Sequence, residues 1–393
     1  MFEKYIDNKP LNGLKIDYKK VNKEFDKMMK KCNAPVGLYD PTTLPLNDAN
    51  WFVLMSERSS SKTTQCLLYA LLIYKLYGVN FCYVRQRKNN ITKSMYVKLF
   101  NVINDPTFNY CSYLTDGQFN HLGVTTTKDV YFYDAEEKQA SEPVGVLMDI
   151  EEYDRYCSTF NTTKHDIIIF DEFSWGKYMQ DEFVHFCQLI ATIRRERVSV
   201  KIFMLSNTIS PYNQYLQELG ISTQLAKMKK GQHAVITSQL GTKVYCALLD
   251  VEMHKTKEFD RKALSYFGFA NESLRALYGG EWEIKGFKHL PTSKTREMEK
   301  SDIILSYLGY TMRLCYFEDG EMYGVFIQRF TGEKEKYNVV SEDTEYQTEY
   351  FNTSSRRLAD TLRAFNTQGR LYVSDNETGL AFFGLIDAIL QKR

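Results

Sequence analysis

Two short stretches of the chain hold residue types that could act together on a phosphate. The first, Ser56-Glu57-Arg58-Ser59-Ser60-Ser61-Lys62-Thr63, has the length and ending of the phosphate-loop pattern GxxxxGK[ST], with serine at both glycine positions, Ser56 and Ser61. Such a loop needs small residues so that successive backbone N–H groups can face phosphate oxygens. It also needs a lysine to reach the outer phosphates and a hydroxyl for Mg²⁺. Here Ser59, Ser60 and Ser61 supply the small residues, Lys62 the cation and Thr63 the hydroxyl. Serine has less backbone freedom than glycine, and holding a non-glycine residue at positive φ costs about 1–2 kcal/mol. The second stretch, His165-Asp166-Ile167-Ile168-Ile169-Phe170-Asp171-Glu172-Phe173, puts two carboxylates after a run of apolar residues. That is the carboxyl end of a buried strand, where open α/β sheets bind their ligands. In nucleotide hydrolysis the first acid, Asp171, assists Mg²⁺ and the second, Glu172, polarises the attacking water. Each stretch alone also fits a polar surface loop or ordinary surface acids. In this order along one chain they predict ATP and Mg²⁺ binding.

Two more features lie where such an enzyme needs them. Arg194-Arg195-Glu196-Arg197 follows a helical apolar pattern, Phe183, Phe186, Ile190 and Ile193, and precedes the strand-like run Val200 to Leu205. A ring-forming ATPase could present an arginine to its neighbour from that place, and arginines at a helix end also serve as solvated caps. Ser206-Asn207 ends the run beside the acidic strand, where the polar side chain of Asn207 can sense the outer phosphate, although Ser-Asn is also a common turn.

The rest of the chain must position these residues. Its 393 residues are enough for about two to three domains. Lys and Arg total 50 against 49 Asp and Glu, a net charge of +1, so contact with a polyanion has to come from local patches. A hydrophobic fraction of 44% with 25% charged residues describes a folded chain, not a disordered or collagen-like one. The longest apolar run, Cys66 to Tyr77, is interrupted by Lys75 and falls short of the roughly 20 residues that span a bilayer, and the N-terminus lacks an apolar signal region. A cytoplasmic location without a membrane is expected. The eight cysteines show no CxxC spacing and mostly sit in apolar runs, which argues against disulfides and a zinc site.

Short continuous apolar runs at Trp51, Phe81 to Val84, Val130 to Tyr133, Val144 to Met148, Asp166 to Phe170 and Val200 to Leu205 alternate with helical patterns. The alternation predicts an α/β domain with a largely parallel sheet, and Gly78 is a candidate cap for the first long helix. Four regions result: a lysine-rich N-terminal arm over 1–45, a P-loop ATPase domain over 46–255, a small linker unit over 256–296 and a C-terminal α/β domain over 297–393. In the last, Ile303 to Phe330 reads as a β-hairpin turning at Glu318-Asp319-Gly320, followed by helix 355–365, strand 371–374 and helix 379–391.

With these residues placed, the sequence resembles the DNA-packaging ATPases of phi-29-like phages, relatives of terminase large subunits. The resemblance rests on WFVLMSERSSSKTT, NFCYVRQRK, DIIIFDEF, RRERV and FMLSNTISPYN, runs from about Trp51 to Ser210, and continues more weakly to the C-terminus. It implies an ASCE-type P-loop NTPase sheet. Arg58 takes the place of an arginine in the family's loop, and Arg194 or Arg195 that of an arginine acting on the neighbouring subunit. The family also has a trans-acting lysine upstream of the acidic strand. The matching stretch here, Asp154-Arg155-Tyr156-Cys157-Ser158, has none, and Arg155 stands as its substitute. For DNA the match makes Lys88 a candidate phosphate contact, with Arg85, Arg87 and Lys93 near it, and Lys227-Met228-Lys229-Lys230 forms another basic patch.

The function implied is ATP-driven translocation of double-stranded DNA into a phage prohead, in the cytoplasm of the infected host. The partners implied are a homo-oligomeric ring, a pentamer by resemblance, the phage portal or connector, and a packaging RNA. Terminase relatives carry an RNase H-like nuclease after the ATPase. Asp302, Glu318, Asp319, Asp360, Asp375 and Asp387 are scattered here, so a vestigial nuclease fold is expected. A terminase with an active nuclease and a nucleotide-free scaffold or adaptor are the alternatives.

Overall fold

Most of the apolar runs of the first half of the chain form strands buried on both faces of a large mixed sheet, while Val130 to Tyr133 forms a strand with one buried face. The computed structural model describes residues 16–35, 38–56, 61–134, 136, 139–159, 165–173, 182–194, 200–207, 214–225, 228–229, 231–237, 241–249, 298–307, 310–319, 322–333, 338–341 and 349–391. The linker expected over 256–296 lies outside them, as do residues 57–60.

In chain order the elements are α1 (Tyr18–Lys31), β1 (Trp51–Ser56), α2 (Lys62–Tyr77), β2 (Asn80–Arg85), α3 (Lys93–Phe100), α4 (Tyr110–Leu114), β3 (His121–Val124), β4 (Asp129–Asp134), β5 (Gln139–Ala140), β6 (Gly145–Asp149), α5 (Tyr153–Thr159), β7 (His165–Asp171), α6 (Glu182–Arg194), β8 (Lys201–Asn207), α7 (Gln214–Glu218), α8 (Ser222–Leu225), β9 (His233–Thr237) and β10 (Lys243–Leu248). There follow β11 (Glu299–Tyr307), β12 (Tyr310–Asp319), β13 (Met322–Arg329), β14 (Asn338–Ser341), α9 (Glu349–Thr367), β15 (Leu371–Val373) and α10 (Asn376–Gln391). The chain divides into two compact units, the first formed mainly by Met1–Ile209 and Glu218–Gly268, the second mainly by Glu283–Arg393.

In the first unit the strand order is β3-β4-β6-β2-β7-β8-β1-β10-β9, with β5 beside β4. The six strands from β6 to β10 in that order are mutually parallel. One strand, β8, thus separates the loop-bearing β1 from the acidic β7. β7 is buried along its whole length and β1 at every residue but Trp51, which explains their unbroken apolar sequences.

The first long helix, α2, buries ten of its residues, from Lys62 to Ile73, and is apolar nearly all round. Such a helix needs a cover on its outer side. α1 supplies it through Val21, Phe25 and Met28, with the Phe25 ring edge-on to Tyr69 at 5.4 Å and the Tyr69 hydroxyl donating to Asn22 Oδ1 at 2.5 Å. The six lysines of α1 face solvent. Gly78 ends α2 at φ +67°, its N–H on the Tyr74 carbonyl, as the sequence predicts. Among the described residues no helix is long and apolar enough to cross a membrane, and the seven cysteines whose side chains are described form no disulfide.

The second unit is a five-stranded sheet in the order β14-β11-β12-β13-β15. The hairpin expected to turn at Glu318-Asp319-Gly320 is formed by β12 and β13, with Asp319 opposite Met322, but its expected first strand is corrected to two. The apolar run 303–317 is two antiparallel strands, β11 and β12, because Tyr307 pairs with Tyr310 and the chain reverses between them, and β12 then pairs with β13. Helices α9 and α10 pack Ala359, Leu362, Phe382, Leu385 and Ile386 onto Leu305, Met312, Leu314, Val325 and Ile327. Gly324 is required where it stands, since a Cβ there would lie 2.2 Å from the Phe317 ring.

Candidate active site

The carboxyl ends of β1, β8, β7 and β2 lie side by side and carry Ser56, Asn207, Asp171 and Arg85, with Ser56 in register with Asn207 and Asp171 with Leu205. Facing them is the N-terminus of α2, whose aligned peptide dipoles favour an anion. The cap of α2 is Ser61 in the left-handed region, φ +59° and ψ +17°, with no hydrogen bond from its side chain to the helix. The second glycine position of the loop therefore has the backbone that glycine would supply, held by a serine. Lys62, only 7% exposed, donates to Ser56 Oγ at 2.5 Å, so the serine at the first glycine position holds the lysine that would reach a phosphate. Burial lowers the Lys62 amine to about 8, against the opposing pull of Asp171, Cys66 and Glu172.

Thr63 Oγ1 donates to Asp171 Oδ1 at 3.0 Å and joins the helix start to the acidic strand. The other Asp171 oxygen accepts from the Tyr83 hydroxyl at 2.6 Å and from Arg85 Nη1 at 3.2 Å. Arg85 Nη2 is bonded to Glu172 Oε2, so one guanidinium spans both acids. Burial works against the Arg85 charge, and Tyr83, Asp171 and Glu172 outweigh it, leaving the group more firmly protonated than usual. Burial, then the Asp171 charge, raises the Tyr83 phenol and keeps it a donor. Lys62 and Arg85 balance Asp171 and Glu172 in charge. Glu172 itself has φ +53°, a left-handed backbone outside glycine's usual company. Its N–H donates to Asp171 Oδ1 at 3.1 Å.

This donor set fits the ligands expected of it. The Thr63 hydroxyl and the Asp171 carboxylate are hard oxygen donors of the kind that Mg²⁺ takes, already in contact across two elements. The helix N-terminus with Lys62 suits a phosphate. When bound, Mg²⁺ would neutralise phosphate charge and fix the outer phosphates for in-line attack.

The other sequence-predicted residues fall in different places. Arg58, Ser59, Ser60, Arg195, Lys227 and Lys230 lie outside the described residues. Arg194 is the exposed last residue of α6. Asn207 is half-buried at the end of β8. The expectation that Arg85 faces DNA is corrected: its side chain is 12% exposed and turned onto the two carboxylates. Arg87 lies 3.9 Å from the fully buried Glu182. Lys88 is exposed, its ammonium on Glu152 at 2.6 Å and its N–H on Glu151, while Arg155 lies 3.6 Å from Glu152. Lys93 and Lys229 are exposed. Sequence reasoning passed over Tyr83 as a carboxylate partner. Tyr83 and Arg85 are two apart on β2 and so share a face, but only the pairing of β2 with β7 brings that face to Asp171.

No protein-family model matches the chain, and no curated protein does. Solved structures do. The phi-28 gp11 DNA-packaging motor is 15% identical over 88% of this chain and 96% of its own, with a TM-score of 0.47. The N-terminal domain of the DNA-packaging ATPase from bacteriophage phi29 is 19% identical over 56% of this chain and 99% of its own, with a TM-score of 0.43. The large-terminase ATPase domain of a Thermus phage is 14% identical over 66% of this chain and 98% of its own, with a TM-score of 0.38. The structural neighbours of this chain are thus phage DNA-packaging motors and large-terminase ATPase domains.

Proposed function

We propose that the chain hydrolyses ATP with Mg²⁺ and, as one subunit of a ring, drives double-stranded DNA into a phage prohead. The observation that carries the hydrolytic reading is the contact of Thr63 with Asp171 beside Lys62 and Glu172, which gathers a phosphate ligand, a metal ligand and a water-polarising acid at one helix N-terminus. In this reading Lys62 leaves Ser56 and turns to the outer phosphates, and Thr63 and Asp171 hold the metal. Arg85 holds one oxygen of the Glu172 carboxylate, and its release would free both oxygens to orient a water. DNA translocation, the portal, a packaging RNA and a pentameric ring follow from the sequence resemblance. Lys88 would meet DNA phosphates by exchanging its bond to Glu152 for one to the backbone of the duplex.

The C-terminal unit belongs in this reading as an RNase H-like fold without nuclease activity. Register supports that assignment. Asp302 on β11 lies opposite residues near 314 of β12, and Glu318 is four residues farther along, roughly 13 Å at strand rise. Two-metal chemistry needs carboxylates around metals about 4 Å apart.

The test is ATP turnover by the full chain with and without double-stranded DNA and empty capsid shells. Lys62→Ala and Glu172→Gln should each lower kcat by about 100-fold or more, the range of a lost acid–base or phosphate contact. Undiminished turnover in either variant would overturn the site assignment.

A further inference from the structure

Phe173, the residue after Glu172, is held at both of its backbone polar groups. Phe173 N–H donates to the Leu205 carbonyl at 3.3 Å, and the Phe173 carbonyl accepts from Gln86 Nε2 at 2.8 Å. The same Gln86 nitrogen donates to Glu182 Oε1 at 2.9 Å, at the first residue of α6, which is fully buried. Both partners are acceptors, so the amide cannot be turned round without setting oxygen against oxygen. Gln86 is only 3% exposed, and among the described residues its own Oε1 has no hydrogen-bond partner. A buried amide oxygen left unpaired is costly, and its retention beside a residue at φ +53° asks for a compensating role.

We propose that Gln86 is a positioning residue for Glu172: it fixes the left-handed bend from which the Glu172 carboxylate is aimed. The inference rests on the ATPase reading above. Arg85 ends β2 and Gln86 follows it at the bend, so the two reach successive residues, Arg85 the Glu172 carboxylate and Gln86 the Phe173 carbonyl. Arg85 holds the carboxylate itself, and Gln86 holds the backbone behind it. When Arg85 lets go, Gln86 keeps the bend, and the carboxylate turns about a fixed pivot instead of moving with its loop. Buried Glu182 aligns the Gln86 amide and links the same pivot to α6.

Two measurements on the full chain test this. In the first, hydrogen exchange of the ligand-free protein is compared between wild type and Gln86→Met, and amides of Glu172 and Phe173 should exchange faster while those of α2 do not change. In the second, Gln86→Met should lower kcat for ATP by about 10- to 100-fold with KM within about threefold, as misplacement of an aligned group does. In a Glu172→Gln background the same change should alter the residual kcat by less than about twofold, because the two act as one unit. Gln86→Asn, one methylene too short to reach Phe173, should behave alike and stands in if methionine unsettles the fold. Unchanged exchange, unchanged kcat, or an equal loss in the Glu172→Gln background would each overturn the proposal while the ATPase reading stands. A wild-type protein with no turnover, indistinguishable from Lys62→Ala, would overturn the ATPase reading and this proposal with it.

Discussion

Ser61 has the backbone of a glycine without being one, and Lys62 beside it is a buried cation in a site built for anions. The left-handed conformation costs a serine about 1–2 kcal/mol, while glycine loses about 0.5–1 kcal/mol more on ordering. Ser61→Gly should therefore stabilise the protein by about 0.5–1 kcal/mol. With the turn formed before nucleotide binds, the gain should appear in the denaturant midpoint and ATP affinity should hold within about twofold; a gain in affinity alone would mean that the turn forms only on binding. Lys62 gives a pH dependence whose sign can be worked out. Its amine falls from the usual 10.5 to about 8, with burial the main cause. The unfolded chain then binds more protons between those values, so the ligand-free fold gains stability as pH rises through that window. Phosphate binding favours the charged amine and runs the other way. ATP affinity should be flat below about pH 8 and then weaken by up to about tenfold per pH unit, as equilibrium titration at pH 7, 8 and 9 would measure.

At the scale of elements, α2 shows how a site depends on packing far from its chemistry. Its apolar surface is sealed by α1, and Phe25, 2% exposed, is a central contact. Phe25→Ala should cost about 3 kcal/mol in the denaturant midpoint, the usual cost of emptying a buried phenylalanine site. A change under about 0.5 kcal/mol would show that α1 rests on the sheet without bracing it. Most strands around the site are legible in the sequence because burial on both faces writes them as unbroken apolar runs. The same rule fails for β11 and β12, where the run passes straight through the reversal and hydrophobicity cannot mark it. β10 is as long as β1, but it follows a polar stretch, and its place beside β1 shows only in the long-range pairing. Lys62, Thr63, Asp171 and Glu172 are legible because loop and strand each carry a local pattern. Arg85 and Gln86 are not, since a charged or amide residue at a strand end reads as surface until the partners at positions 171–173 and 182 are known.

At the scale of the whole molecule, a net charge of +1 leaves no long-range pull on DNA, which suits a motor whose grip must be repeatedly released. The proposed ring adds a stricter requirement, since a head-to-tail interface places one subunit's surface against its neighbour's site. Arg85 is buried against the acids of its own chain, and Arg194 lies exposed at the end of α6, on the surface where a neighbour could be met. If an arginine of the 194–195 pair completes the neighbouring site, two defective subunits should complement each other. Lys62→Ala lacks the phosphate cation but offers its arginines; Arg194→Ala with Arg195→Ala has the reverse defect. In an equal mixture, about a quarter of the interfaces join an intact loop to an intact arginine pair, by random assembly of a closed ring. Basal ATP turnover of the mixture should recover to as much as about that fraction of wild type, though each variant alone is inactive. If mixing at any ratio recovers nothing, the arginines serve their own subunit, and the trans assignment falls even if the chain is an ATPase.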